Sequence, residues 1–140
     1  MAQRGHHYLL FLPLILLAAD LAQLSEGVGS PQFLNQHIDY PRSGSIIERG
    51  YCDRMMQRRG LTRPVCKATN IFIHAPASQV RTVCDRGGKH VHGNIYDSIA
   101  HFQLTVCQLV SSIGGRCSYR GTVKNSRIRV WGLESGVSPF

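Results

Sequence analysis

The chain has 140 residues, and its 16 Lys and Arg residues against 8 Asp and Glu residues give a formal net charge of +8. This length fits one small domain and excludes a chain of several domains. The positive charge favours nucleic acid, heparin-like polyanions or anionic membranes as partners, and charge alone does not choose among them.

The first residues predict a secretory signal peptide. A basic start is followed by an apolar run, residues 8–19, and then by polar and small residues. A membrane-spanning helix needs roughly 20 apolar residues, and this run is shorter and interrupted by Pro13. We expect cleavage after Gly27, which makes residues 1–27 the signal peptide and residues 28–140 a secreted, extracellular domain without stable membrane insertion.

The mature chain is more basic than the whole. Removing the signal peptide takes away Arg4, Asp20 and Glu26 and leaves 15 Lys and Arg residues against 6 Asp and Glu, a formal charge of +9. Only three of these basic residues are Lys, and guanidinium groups bind phosphate oxygens two at a time. This composition favours a phosphate-bearing partner, although a basic face is also often only solvated surface.

Two short helices are predicted next to prolines. The first lies in residues 31–41, PQFLNQHIDYP, where a Pro stands at each end and Phe33, Leu34 and Ile38 lie between them. Another short helix is predicted over residues 77–84, ASQVRTVC, after the break at a proline.

A further helix is predicted between these two, in the stretch ERGYCDRMMQRRG, residues 48–60. Gly60 ends it, as glycine often does at a helix C-terminus. Its apolar residues Tyr51, Met55 and Met56 share one face, so we expect them in the core.

The rest of the chain reads as strands. Residues 67–75, KATNIFIHA, show an alternating pattern with β-branched and aromatic residues, which predicts a strand. Residues 85–94, DRGGKHVHGN, predict a turn-rich loop. Three strand-like runs follow at 98–110, 116–123 and 126–133. Helices first and antiparallel strands afterwards predict an α+β domain.

Cysteine content predicts disulfides rather than a metal site. A secreted domain of this size has a limited core, and each bridge would contribute roughly 2 to 4 kcal/mol. The odd count leaves one cysteine unpaired, and the sequence alone allows many pairings. None of the five has CxxC or Cys/His finger spacing, so we expect no metal and no cofactor. The five are Cys52, Cys66, Cys84, Cys107 and Cys117.

Several motifs together resemble the pancreatic-type ribonuclease (ribonuclease A) superfamily. They are QHIDYP (36–41), YCDRMMQRRGLT (51–62), VCKATNIFIHA (65–75), FQLTVCQL (102–109), CSYRG (117–121) and RIRV (127–130). The resemblance covers about 100 residues, up to Val130, and looks closest to reptile, bird and angiogenin-like members. It implies a small disulfide-linked fold, with three short helices on a curved antiparallel sheet.

The resemblance also implies an activity, endonucleolytic cleavage of RNA by transesterification through a 2′,3′-cyclic phosphate. Such a reaction requires a base for the 2′-OH, an acid for the leaving oxygen and a cation for the transition state. Ribonuclease inhibitor is a further partner that the family suggests, and we expect a monomer.

Five residues stand at positions of the family's site, and four of them match it. By resemblance, His37 is the base, Lys67 stabilises the transition state, Gln36 donates to the phosphate and Asn70 orients the site. Where the family has a Thr that helps read a pyrimidine, this chain has Ile71, so we expect base preference to weaken or shift. Taken singly, His37 would be interpreted as a surface or capped residue and Lys67 as solvated charge; the joint motif reverses both interpretations.

The resemblance implies disulfides as well. The family's order joins Cys52 to Cys107 and Cys66 to Cys117. Cys84 is left unpaired, because Gly132 or Leu133 stands where its partner belongs. We expect the lost bridge to cost roughly 2 to 5 kcal/mol of stability.

The tail after Val130 departs from the family. The family continues to a Pro-Val-His-Phe motif whose His is the general acid, and neither Ser138 nor Pro139 can fill that role. A shifted codon reading of Gly136 to Phe140 permits Gly-Leu-Pro-Val and a codon beginning like His. We therefore hypothesise a frameshift or a mispredicted exon junction, which the nucleotide sequence decides.

Other histidines of the chain have plainer interpretations. His74 reads as a hydrogen-bonded strand residue. His90 and His92 could be a chance metal pair or loop surface, and nothing in the sequence places His101 near the site. We therefore expect impaired catalysis in the chain as written.

A second function belongs to a different class, a non-catalytic cationic protein for host defence that binds heparin-like polyanions or bacterial surfaces. A basic cluster carries this interpretation, since angiogenin-like relatives use a similar MxRRGL stretch for nuclear targeting. A solvated helix face is an equally good reading. The cluster consists of Arg54, Arg58, Arg59 and Arg63.

Overall fold

The computed structural model describes residues 29–44, 50–131 and 136–139. The predicted signal peptide, residues 1–27, lies outside the described residues. Within the described ranges the chain forms three short α-helices and seven strands. None of these helices is long and apolar enough to cross a membrane.

Helix α1, Pro31–His37, begins at a side-chain cap. The Ser30 Oγ accepts a hydrogen bond from the Phe33 N–H at 3.0 Å, which satisfies one of the free donors at the helix start. The helix ends earlier than the sequence predicts, because Ile38 is extended and bridges to Ile73 of the first strand. The end of α1 is therefore fixed against a strand.

Two further helices are α2, Tyr51–Arg58, and α3, Ala77–Arg81, which continues into a 3-10 turn, Thr82–Cys84. Helix α2 starts after Gly50, whose φ of 81° lies in the left-handed region that glycine tolerates. Tyr51, Met55 and Met56 are buried, as their spacing predicts.

All named strand pairings are antiparallel. The first sheet has the order β1-β4-β5 and the second has the order β2-β3-β6-β7. The strands are β1 Thr69–Ile73, β2 Gly88–His92, β3 Ile95–Ser98, β4 Phe102–Ile113, β5 Arg116–Ser126, β6 Ile128–Trp131 and β7 Gly136–Pro139. The predicted small, disulfide-linked α+β fold is thus confirmed.

The predicted turn-rich loop over residues 85–94 is partly wrong. Residues 85–87 and 93–94 are turns, but half of the stretch, Gly88–His92, is strand β2, which forms a hairpin with β3 around Gly93, whose φ is 54°. The glycines do mark a turn, but β3 also pairs with the distant strand β6, where Tyr96 faces Val130. This long-range pairing extends the second sheet into a segment whose composition favours a loop.

Strand β7 was not predicted either. It pairs with β6 so that Val137 faces Val130 and Ser138 faces Arg129. Val137 packs against the core. The tail therefore continues the second sheet over the residues that the structure describes.

The two faces of the first sheet carry separate cores. Side chains alternate between faces along each strand. One face, here the α1 face, packs against Phe33 of α1; it consists of Ile71, Ile73, Leu104 and Val106. The other, the α2 face, packs against Tyr51, Cys52, Met55 and Met56 of α2; it consists of Phe72, Cys107 and Tyr119. Each helix thus belongs to one face of this sheet.

Two disulfides join the helices and strands. One bridge, between Cys52 and Cys107, ties α2 to β4, and the other, between Cys66 and Cys117, ties the segment before β1 to β5. Within the described part of the chain Cys84 is a free thiol. It is half-buried against the core of the α1 face, and burial raises its pKa above the ordinary value.

Candidate active site

His37 is the last residue of α1 and is almost completely buried, with 3 % of its surface exposed. Its Nδ1 lies 2.9 Å from the carbonyl oxygen of Ile71. A carbonyl only accepts, so Nδ1 must donate in this hydrogen bond, and in the neutral ring the lone pair then lies on Nε2. This contact fixes the tautomer that a general base requires.

The main chain holds His37 over β1. The Asp39 N–H donates to the Ile73 carbonyl at 3.0 Å, next to the bridge between Ile38 and Ile73. The ring of Phe33, one turn earlier in α1, lies 4.9 Å from the His37 ring, centroid to centroid. Backbone pairing on one side and apolar packing on the other therefore set the position of the imidazole.

Lys67 is connected to the end of α1 through Asn70. The Lys67 Nζ donates to the Asn70 Oδ1 at 2.9 Å, and the Asn70 Nδ2 donates to the Gln36 carbonyl at 2.8 Å. Asn70 is buried, with 2 % of its surface exposed. The structure thus brings Gln36, His37, Lys67, Asn70 and Ile71 together, and Asn70 orients the cation.

Lys67 is also held by its backbone. Its carbonyl accepts from the Tyr119 hydroxyl at 2.7 Å and its N–H donates to the Leu61 carbonyl at 2.9 Å. Burial lowers the pKa of the Lys67 ammonium below its ordinary value. A cation in such a partly desolvated place interacts more strongly with a charged transition state than it would in water.

Ile71 presents an apolar side chain beside this group. Its register partner on β4 is Val106, and both belong to the core of the α1 face. This pair brings no side-chain hydroxyl or amide. Polar contacts to a base at this point would therefore have to come from the backbone or from neighbouring side chains.

The other described histidines lie elsewhere. The Nδ1 of His74 donates to the Asp39 carbonyl at 3.0 Å and its Nε2 accepts from the Thr105 hydroxyl at 2.8 Å. His90 hydrogen-bonds the Gly93 carbonyl in the β2–β3 hairpin, while His92 and His101 are exposed. In the described ranges none of the four contacts His37 or Lys67, and no cluster of three metal-ligating side chains occurs.

Asp39 is a buried carboxylate that the sequence analysis missed. It accepts from the Tyr51 hydroxyl at 2.6 Å and from the Ser43 hydroxyl at 2.7 Å, and the Arg59 guanidinium lies 3.6 Å away. Although burial raises the pKa of Asp39, these hydrogen bonds outweigh it and hold the pKa below the ordinary value. The charge buried here links the end of α1 to α2; its signal in the sequence is an Asp inside the QHIDYP motif.

The arginine cluster does not form one patch. Arg54 donates to the Ser43 carbonyl and lies over the Tyr51 ring. Arg59 donates to the carbonyls of Leu34 and Asn35 and lies over the Phe72 ring. Both are therefore engaged in structure, whereas Arg58 and Arg63 are exposed.

A polar cleft of about 570 Å³ opens beside α2, against the turn that joins β4 to β5. Its lining includes Asp53 and Gln57 of α2, Arg63, and Arg116 of β5. Helix α2 packs on the α2 face, whereas α1 with His37 packs on the α1 face. The cleft therefore borders α2, the helix of the α2 face, and the segment that follows it, to which Arg63 belongs.

This fold and this group of residues define a known class. Residues 29–136 match the family model described as pancreatic ribonuclease, and the chain belongs to that family. The match extends beyond Val130, the last residue of the resemblance found by motif.

Individual relatives are similar over most of their length. A ribonuclease of Chelonia mydas is 49% identical over 100 residues, which are 71% of this chain and 84% of the relative. Angiogenin-1 of Bos taurus is 39% identical over 107 residues, 75% of this chain and 70% of that protein. The crystal structure of green turtle egg white ribonuclease superposes with a TM-score of 0.65 at 49% identity, covering 70% of this chain and 83% of that one.

Proposed function

We propose that this protein is a secreted endoribonuclease that cleaves RNA by in-line transesterification. The Nε2 of His37 takes the proton of a ribose 2′-OH, and the 2′-oxygen attacks the adjacent phosphorus. The bond from phosphorus to the 5′-oxygen breaks, which leaves a 2′,3′-cyclic phosphate and a free 5′-OH once that oxygen gains a proton. The contact between the His37 Nδ1 and the Ile71 carbonyl supports this assignment most strongly, because it leaves Nε2 as the basic nitrogen.

The remaining residues have supporting roles in this proposal. The Lys67 ammonium stabilises the negative charge that develops on the phosphate oxygens, and Gln36 donates to the same phosphate. Asn70 holds Lys67 in place through its 2.9 Å hydrogen bond. DNA lacks the attacking hydroxyl, so the chemistry itself selects RNA. With Ile71 and Val106 in place of a hydroxyl group, discrimination between bases is weak.

Catalysis by the chain as written is impaired in this proposal. The leaving 5′-oxygen needs a proton, and the sequence carries no histidine after His101. The described part of β7 has Val137 and Ser138 where it pairs with β6. Loss of a general acid typically lowers a rate by about 10² to 10⁴, so slow cleavage by His37 and Lys67 is expected.

Secretion is part of the same proposal. The predicted signal peptide and the two disulfides favour an oxidising compartment outside the cytosol. The similarity to a ribonuclease of green turtle egg white is in keeping with this.

Product analysis tests the proposed reaction. Incubation with a short RNA should yield fragments that end in a 2′,3′-cyclic phosphate, detected by mass spectrometry. The same sequence with 2′-deoxyribose should stay intact, and His37→Ala should strongly slow the formation of these products. Fragments without a cyclic phosphate, or equal cleavage of the deoxy strand, would show a different reaction.

A second candidate function, polyanion binding in host defence, is favoured by the position of the exposed arginines. Arg58 and Arg63 point into solvent, and Arg63 shares the polar cleft with Arg116. Arg58 and Arg63 belong to α2 and the segment after it, whereas His37 belongs to α1, so a bound polyanion would not need to cover His37. Binding of heparin-like chains or bacterial surfaces would then be independent of cleavage.

Heparin chromatography separates the two functions. The double variant Arg58→Ala/Arg63→Ala should elute at clearly lower salt than the unmodified protein, because two guanidinium contacts are lost. His37→Ala should elute unchanged. The control Arg81→Ala/Arg86→Ala removes the same charge at two exposed positions elsewhere. An equal shift in that control would show that elution depends only on net charge.

A further inference from the structure

Strand β5 forms one edge of the first sheet and carries two basic side chains on the α1 face. Its residues 120, 122 and 124 share a face, because side chains alternate along a strand. The register assigns that face through three rows across the sheet. They are Thr69–Gln108–Arg120, Ile71–Val106–Thr122 and Ile73–Leu104–Lys124.

The middle row connects this edge to the catalytic group. Ile71 is the residue whose carbonyl binds His37, and its side chain packs in the same core as Phe33 of α1. Thr122 is the last member of that row, two strand spacings or roughly 10 Å from β1. Arg120 and Lys124 therefore flank the row of the proposed base on the same face of the sheet.

Both cations are available to a ligand. Arg120 and Lys124 are exposed, and neither has a hydrogen bond or an ion pair in the part of the chain that the structure describes. Two of the described carboxylates are already engaged: Asp53 accepts from the Tyr119 N–H on the α2 side, and Asp97 is paired with Arg129. No described acidic group neutralises the pair.

The spacing of the pair suits an extended strand of nucleic acid. Residues four apart along a strand are roughly 13 Å apart and on the same face. Between them stands the Thr122 hydroxyl, which both donates and accepts hydrogen bonds. A flexible phosphate backbone that crosses β4 from the site at β1 would meet a positive charge on either side of Thr122.

We propose that Arg120 and Lys124 form a subsite that binds phosphates of the RNA strand away from the cleaved bond, with Thr122 between them. This inference rests on the proposed ribonuclease function, since it takes the strand to start at His37 and Lys67. RNA is favoured over a sulfated glycan as the occupant because the pair shares a face with the catalytic group. The exposed Arg58 and Arg63 belong instead to α2, the helix that packs on the other face, and to the segment after it.

Binding of an uncleavable strand tests the subsite apart from catalysis. Fluorescence anisotropy with a single-stranded oligodeoxynucleotide of about ten nucleotides measures affinity, since DNA lacks the attacking hydroxyl. For Arg120→Ala/Lys124→Ala we expect weaker binding of this strand and unchanged binding of a dinucleotide. The slope of log affinity against log salt should shrink by about 1.4, roughly 0.7 for each lost phosphate contact.

The matched control is Arg81→Ala/Arg86→Ala, which removes two exposed charges at α3 and beyond it. It should bind the longer strand as the unmodified protein does, and thermal melting should show that both variants are folded. The inference is overturned if the β5 variant binds the longer strand normally, or if the control loses as much. Cyclic-phosphate formation from RNA by the unmodified protein would still stand in either case, so the two proposals fail separately.

Discussion

A substrate with an activated leaving group should be cleaved far faster by this protein than RNA is. In a uridine 3′-aryl phosphate the departing phenoxide is stable without a proton, whereas the 5′-oxygen of RNA is not. If the chain provides the base and the cation but no acid, only the cleavage of RNA should be slowed. Relative to a family member with the Pro-Val-His ending, we expect this protein to cleave RNA about 10² to 10⁴ times more slowly. On the aryl ester most of this difference in rate should disappear.

Variants of the same chain separate the roles. His37→Ala should slow both substrates, because both need the 2′-OH to be deprotonated, and Lys67→Ala should also slow both, because both pass through a charged phosphorane. His101→Ala, which removes an exposed histidine that does not contact the site, should change neither. Weak base discrimination at Ile71 affects both substrates alike, so it drops out of the ratio. An equal deficit on RNA and on the ester would show that the general acid is present after all.

The two disulfides should differ in their contribution to stability although they close loops of similar length. Their sequence separations are 55 and 51 residues, so chain entropy alone gives each about 4 kcal/mol. Cys52 and Cys107 are buried with 4% and 0% exposed, whereas Cys66 and Cys117 are half-buried. Removing the buried pair also leaves a cavity between α2 and β4. Cys52→Ala/Cys107→Ala should therefore lose more free energy of unfolding than Cys66→Ala/Cys117→Ala.

Urea unfolding of both double variants in a Cys84→Ala background measures this difference without thiol exchange. The background variant itself is the reference, and equal m-values would show that both variants unfold from comparably compact states. Gly121 gives an independent indication of crowding at the buried bridge, since a Cβ there would come within 2.9 Å of the Cys52 Sγ. Identical losses in the two variants would mean that loop closure alone accounts for the contribution of the bridges.

Asp39 shows why sequence reading found only part of the site. His37 and Lys67 were found because they stand in motifs whose order is recognisable along the chain. Asp39 acts through Tyr51, Ser43 and Arg59, which are brought to it by the docking of α2 against the end of α1. A local sequence pattern does not show which distant residues come into contact. The same limit explains why β2 was missed. It is a strand because it pairs with β3, and β3 in turn pairs with the distant strand β6.

The sequence by itself determined the class of fold and the family, and it predicted His37 as the base and Lys67 as the cation, because helix spacing, strand alternation and motif order are local properties of the chain. Only the tertiary structure decided which side of the first sheet each group occupies. Alternation places Arg120 and Lys124 together, but the register of β5 on β4 and of β4 on β1 is what puts them on the face that carries His37. Arg58 and Arg63 belong instead to α2, which packs on the other face, and to the segment after it. The choice of face depends on contacts between residues far apart in sequence, which is why composition could indicate a polyanion but not where it would bind.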